Sequence, residues 1–521
     1  MQVSLAGLNV ESDLLALLTR RCRTAVTPES IAAAYARISR SPKPVAELRR
    51  EARDEIERAR RSNVSIVFEM GHHSVAEHAV FNFDVVGLSR LAVEALEHHR
   101  LNSYTEKSQR YVRVDEDFLV PPEVAETELR DEFVTVTRLQ HNYYRQLLSK
   151  LVVHFGAAIP DAQLAENRAK EDARYITNLA TLTQVGMTIN ARNLEYLIRA
   201  LAASELGELR SLAAELFRQV EGVAPSLILF PAPTDYERRT RPRLREFAQN
   251  FMVSPFPRRP RNFIALAASD VVLVDYTQNA DNKLLAALMH GASAASFGEC
   301  VARTERQTLA RKKEILKLVC QDMQSYDAVL REFEHLSLTF EVVLSASAFA
   351  QLKRHRLMTL TVQPYSPNHG WTIPQSVAEV KEHRQFKEIL TRTEEAHARL
   401  GAVSPAAAQY LLTNSHQRRV LVTVNARELY HLARLREDAA AQWDIRDIAG
   451  RMVEQARHVM PLALMLACGK DVYPQTFEAT YGRLPAVVKL ELPRPRDLRG
   501  AGRPAGKPPV GDRQRRVRKG G

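Results

Sequence analysis

Five histidines, His72, His73, His78, His98 and His99, fall within 28 residues, a density of imidazole that first suggests a metal centre. Their spacing points elsewhere. There is no H-E-x-x-H, and no carboxylate–histidine pattern at i, i+3 or i+4 repeats across both copies of the unit that the chain carries twice. Metal ligation is set aside, and no residue is assigned to a metal. Directly after His99 come Arg100, Ser103, Glu106, Ser108 and Arg110. A guanidinium fork grips two phosphate oxygens at once, and hydroxyls fill the remaining lone pairs, so this mixture suits an anion. Arg, Ser and Glu also mingle on ordinary solvated surfaces, so the pattern gains meaning only from the scaffold around it.

That scaffold has readable elements. Thr27-Pro28-Glu29 is a helix start, with a hydroxyl cap and proline in the first turn. Residues 45–61 read as a charged helix, and residues 131–152 put Phe133, Val136, Tyr143, Leu147 and Leu151 on one helical face. In Phe81-Asn82-Phe83-Asp84-Val85 the period drops to two, as in a half-buried strand. Leu338-Thr339-Phe340-Glu341-Val342 repeats that alternation, three residues after Glu334-His335 as the first stands three after Glu77-His78. Met187-Thr188-Ile189-Asn190-Ala191-Arg192-Asn193-Leu194 is echoed by Val422-Thr423-Val424-Asn425-Ala426-Arg427-Glu428-Leu429. The opening QVSLAGLNVESDLLALL has a counterpart beginning at Val271. One unit of about 225 residues occurs twice, a duplicated domain rather than a short-period solenoid.

The chain has 521 residues, 45% hydrophobic and 26% charged, enough for at least two cores. No glycine-rich phosphate loop of the Rossmann or P-loop kind occurs. The formal charge of +12 hints at nucleic acid, but residues 493–521 carry +8 and residues 235–261 carry +5, which leaves −1 for the rest. A near-neutral body argues against nucleic acid. The expected organisation is 1–230 as the first domain, 231–266 as an Arg/Pro-rich linker, 267–492 as the second domain and 493–521 as a disordered basic tail. Cys22, Cys300, Cys320 and Cys468 form no C-x-x-C pair, no apolar run is long enough to span a bilayer, and no signal peptide pattern opens the chain, so a cytoplasmic setting is expected.

At the level of motifs the chain resembles the flavin-dependent thymidylate synthases, or thymidylate synthase-complementing proteins. Their signature R-H-R-x-x-S-x-N-x-x-S-x-R follows G-H-x-[ST]-x-x-E-H and precedes N-A-R and L-R-x-x-x-x-A-Q-x-[DE]-I-R. Copy one matches with Gly71 to His78, His98 to Tyr111 and Asn190-Ala191-Arg192; copy two matches with Gln351, Arg354-His355-Arg356, Asn425-Ala426-Arg427, Leu435-Arg436 and Ala441 to Arg446. The resemblance implies an α+β fold: two copies, each an antiparallel sheet flanked by helices.

Neither copy is complete. Copy one has Ala95, His98, Thr105 and Leu201 where the signature wants glutamine, arginine, asparagine and the late arginine; copy two has Thr359, Thr361, Val362, Pro364, Ser366 and Gln409 at other signature positions. The losses are complementary, because copy one keeps Glu106, Ser108, Arg110 and Arg174 while copy two keeps Gln351, Arg354 and Arg436. In the family these two groups reach one pocket from different subunits. The resemblance therefore implies one composite site that methylates dUMP to dTMP with methylenetetrahydrofolate and NADPH as co-substrates and FAD as cofactor. The implied dUMP contacts are Gln351, Arg354, Glu106, Ser108, Gln109, Arg110 and Arg174, with Arg436 as the catalytic group beside the uracil. The implied FAD contacts are Ser74, Glu77, Glu106, Arg354, His355, Arg356, Asn425, Arg427 and His431. Folate and dUMP are the implied partners, and a homodimer would mimic the family's four-subunit ring. The alternative is a noncatalytic flavin- or nucleotide-binding scaffold of the same descent.

Overall fold

A computed structural model describes Leu15, Arg20 and residues 27–38, 41–114, 117–251 and 270–486. The expected tail at 493–521 and the end of the expected linker lie outside the described residues. Residues 27–64 carry helices α1 (Glu29–Ile38), α2 (Val45–Asp54) and α3 (Ile56–Val64), the last two separated at Glu55, whose φ of −116° and ψ of 57° leave the helical region. The charged run expected as one helix is thus two.

Among the described residues copy one then builds a three-stranded antiparallel sheet in the order β1-β3-β2, from β1 (Val80–Ser89), β2 (Ser103–Glu106) and β3 (Leu182–Asn190). Copy two builds a four-stranded one in the order β4-β5-β7-β6, from β4 (Asp270–Tyr276), β5 (Ser337–Ser345), β6 (Thr359–Val362) and β7 (Gln417–Asn425). The counterpart of β4 in copy one would fall in residues outside the described range. β1 is one residue longer than β5 because of a bulge between Val86 and Leu88, where Gly87 takes a φ of +78° that only glycine adopts readily.

Helices follow the central strands alike in both copies. Ser89 caps α4 (Arg90–Glu97) by accepting from the Ala92 amide, and Ser345 caps its counterpart on Ala348, each at 3.0 Å. The asparagine of each N-A-R is likewise a cap: Asn190 opens α7 (Ala191–Ala202) and Asn425 its counterpart, accepting from Asn193 and Glu428 at 2.9 and 2.8 Å. Between them lie α5 (Arg130–Ala158), which buries the five apolar residues expected on one face, and α6 (Ala162–Ala173). Gly207–Val220 forms α8, and α9 (Asp235–Phe251) stands where a linker was expected. Low apolar content hid α9, which needs no core: Thr234 and Glu237 cap it reciprocally, and ion pairs Arg199–Glu237 (3.2 Å) and Arg245–Glu205 (2.7 Å) fasten it to copy one.

In copy two the helices that bear on the site and the contact between copies include α10 (Ala346–Leu352), α11 (His383–Val403), α12 (Ala426–Arg436) and α13 (Trp443–Val459). Each copy has its own apolar core, and among the described residues three further clusters are shared, such as Tyr143 and Leu147 of α5 with Phe386 and Leu390 of α11. The contact is reciprocal, as an internal two-fold relation requires. Asn178 bridges its own counterpart Thr413; Tyr175 donates to Asp444 at 2.9 Å while its counterpart Tyr410 donates to Glu208 at 2.7 Å. Each acid also takes the hydroxyl of its own copy's cap, Ser345 or Ser89. Among the described residues no helix is long and apolar enough to cross a membrane.

Candidate active site

The end of β2 supplies Glu106, and the turn after it Ser108, Gln109 and Arg110; Arg174 follows the C-terminal end of α6. Copy two delivers Gln351 on α10, Arg354 just beyond it and Arg436 as the last residue of α12. These eight residues converge across the boundary between copies. Arg354 Nη2 donates to Glu106 Oε2 at 3.2 Å, and Arg110 Nη2 to the Ala440 carbonyl at 3.0 Å. Gln109 Oε1 accepts from Asn414 at 3.3 Å, whose amide also donates to the Arg174 carbonyl at 3.0 Å. Ser108 Oγ accepts from the Arg110 amide at 3.2 Å.

Arg436 Nε donates to His355 Nε2 at 3.0 Å, and its Nη1 reaches Gln351 Oε1 at 3.5 Å. Gln351 continues to Gln442, Gln442 to Tyr175, and Tyr175 to Asp444. A polar chain thus runs from the site into the clasp between copies, so the geometry of one depends on the other.

Arginine dominates the electrostatics. Arg436 is pushed down to about 10, by burial first and then by Arg354 and Arg110. Arg90 at the start of α4 is also held at about 10, by burial and then by Arg174, with Arg354 contributing. Arg174 is lowered by burial and, among other groups, by Arg110. Five guanidinium groups from two copies therefore lie in one another's field, balanced locally by Glu106, which pairs with Arg90 and Arg354, and Glu171, 2.5 Å from Arg110 Nε. Arg174 is 4% exposed, and its Nη2 has no hydrogen-bond partner. A buried, unpaired donor among like charges has the chemistry that suits an anion.

The residues implied for flavin divide. His355, Arg356 and His431 border the cluster: the rings of His355 and His431 are 5.3 Å apart, and Arg356 lies 5.7 Å from the Tyr104 ring of copy one. Ser74 and Glu77 stand in a short turn where Glu77 pairs with Arg192 at 2.5 Å, while Arg427 pairs with Glu334 at 2.9 Å. Each N-A-R arginine is thus held by the Glu-His acid of its own copy. Asn425 is engaged as a helix cap.

The locus related to this site by the internal two-fold is filled. Arg418 lies 3.9 Å over the Tyr365 ring and pairs with Glu94 at 2.6 Å, and Tyr365 donates to Glu94 at 2.7 Å. Gln409, standing where copy one has Arg174, donates to the Tyr365 carbonyl. Arg90 and Glu171 were not singled out from sequence. The available signal for Arg90 was its place after the Ser89 cap, where copy two has Ala346 after Ser345.

The family model for thymidylate synthase complementing protein matches residues 23–226 and 272–462. A flavin-dependent thymidylate synthase from Clostridium tetani is 32% identical over 210 residues, covering 40% of this chain and 83% of its own. A UPF0159 protein from Thermoplasma acidophilum is 25% identical over 473 residues, 82% of this chain and 91% of its own. Among solved structures, the flavin-dependent thymidylate synthase from Helicobacter pylori complexed with FAD and dUMP is similar with a TM-score of 0.29 at 22% identity, covering 40% of this chain and 96% of that one.

Proposed function

Because this chain belongs to the thymidylate synthase complementing protein family, we propose that its two copies form one composite active site that methylates dUMP to dTMP. The observation that carries this reading is the cluster of five guanidinium groups from both copies around the unpaired Nη2 of Arg174. Arg174 and Arg110 hold the phosphate dianion, with Ser108 and Gln109 fixing the turn that presents Arg110. Gln351 and Arg354 complete the nucleotide grip, and Glu106 orients Arg354. Arg436, still protonated at neutral pH although lowered to about 10, stands beside the uracil and favours its N3-deprotonated form by placing fixed positive charge next to developing negative charge.

Arg354, Arg356 and His431 offer cationic and ring donors at the rim of this cluster, with His355 buried behind Arg436, a set that suits an anionic dinucleotide such as FAD. Bound flavin supplies the hydride chemistry, with NADPH as reductant and methylenetetrahydrofolate as carbon donor. Ser74, Glu77, Asn425 and Arg427 belong to the same proposed flavin set, and a homodimer would supply the copies that one chain lacks.

Purified protein is expected to be yellow and to change its flavin spectrum on titration with one dUMP per chain. Arg110→Ala and Arg436→Ala are each expected to lower dTMP formation by tenfold or more, as removal of a charge-assisted contact of roughly 1.5–3 kcal/mol implies. Full activity in either variant would overturn the composite site. One observation favours a noncatalytic binder instead: Arg110 is already engaged by Glu171 and the Ala440 carbonyl. A dUMP-induced spectral change without dTMP formation would select that reading.

A further inference from the structure

Arg436 is held from behind. Its Nε donates to His355 Nε2 at 3.0 Å, which requires that nitrogen to be the acceptor and the ring proton to sit on Nδ1. Nδ1 makes no hydrogen bond and faces Glu428 Oε1 at 3.5 Å, and ring and carboxylate are 2% and 5% exposed. The imidazole is kept neutral, lowered to about 3 by burial first and by Arg436 second, which agrees with an acceptor role. The duplication supplies an internal comparison. Copy one retains the ring as His99, yet it has Leu201 in place of Arg436, Asn193 in place of Glu428 and Tyr196 in place of His431. The acid is present in the copy that has the arginine and absent in the copy that lacks it.

We propose that Glu428 is a positioning residue that acts on Arg436 through His355: the carboxylate fixes the Nδ1–H tautomer, and the ring's free Nε2 then anchors the guanidinium at Nε. The inference rests on the reading of Arg436 as a substrate-facing group. Holding Nε directs the two Nη groups away from the helix and toward Gln351 and the composite site. Orientation through a buried acid–imidazole pair removes rotamer freedom that a solvent-facing arginine keeps. His355, Glu428 and His431 also bring ligand atoms within 4.8 Å of one another. A cation there would meet the positive field of Arg427, Arg434 and Arg436, which disfavours a metal.

The test uses full-length protein with 15N-labelled histidine, the His355 signal being assigned by its loss in His355→Gln, together with calorimetric titration of dUMP. Wild type is expected to show the Nδ1–H tautomer, Glu428→Ala to lose it, and Glu428→Gln, which keeps an acceptor oxygen, to retain it. Glu428→Ala is expected to weaken dUMP binding about tenfold, and to have no further effect in an Arg436→Ala background. An unchanged tautomer in Glu428→Ala, an equal loss in both backgrounds, or a Zn2+-induced thermal upshift that requires Glu428 would each overturn the proposal. If wild type binds no dUMP, the functional reading falls, and the tautomer alone decides the role of Glu428.

Discussion

Single residues carry opposite roles at the two loci related by the internal two-fold. At one, Arg174 keeps a buried donor free; at the other, Arg418 spans Tyr365 and Glu94 and closes the space. Gln109 and Tyr365 are counterparts, as are Thr183 and Arg418, so a few substitutions distinguish the locus that keeps an unpaired donor from the one that is packed. Arg418→Ala is expected to destabilise the chain by about 2–3 kcal/mol, because it leaves the half-buried Glu94 with the Tyr365 hydroxyl but without its cation. Urea unfolding measures that loss, while dUMP titration of the same variant should still give one site per chain. The binding half of this asymmetry was legible in sequence as missing signature residues. The filling half was not, since nothing near Arg418 in the sequence names Glu94, 324 residues away, as its partner.

Among the elements, α6 ends at the site and also on the other copy. Asp172 in its last turn accepts from Ser376 at 2.6 Å and from Trp443 at 2.9 Å, both in copy two. Burial raises this carboxyl from 3.8 to about 6 against the pull of those two donors. Between pH 4 and 6 the folded state therefore holds a proton that the unfolded chain has released. Stability from this group is present below about pH 4 and lost as pH rises through 6, a difference on the order of 3 kcal/mol. Asp172→Asn keeps an acceptor for Trp443 and a polar partner for Ser376, so it is expected to raise the thermal midpoint at pH 7 relative to pH 5. Thermal unfolding of both proteins at the two pH values checks the sign. The apolar face of α5 was legible locally, whereas the caps Ser89 and Asn190 were not singled out and α9 was missed because ion pairs rather than apolar contacts hold it.

The whole molecule is two copies that face each other through equivalent positions. Glu97 and Lys353 are counterparts, and they meet as a buried pair at 2.9 Å, both 4% exposed. In a pair of identical copies this position would meet its own charge. Divergence after duplication has made the two sides complementary, which favours pairing of copy one with copy two over pairing of like with like. Glu97→Lys is expected to cost about 3–5 kcal/mol by burying two ammonium groups together. The exchange Glu97→Lys with Lys353→Glu should restore most of it in denaturant unfolding, as double-mutant analysis would show.

The sequence by itself determined that the chain is a duplication, where β1, β5 and the apolar face of α5 lie, and how the signature residues are divided. These are local properties: a period of two or 3.6, a motif of fixed spacing. Only the tertiary structure decided that the divided residues meet. Glu106 and Arg354 are 248 residues apart, and their contact depends on how α5 packs on α11 and how each tyrosine clasps the other copy's acid. No periodicity along the chain encodes that packing, because it arises from apolar surfaces that are complementary only after both copies have folded.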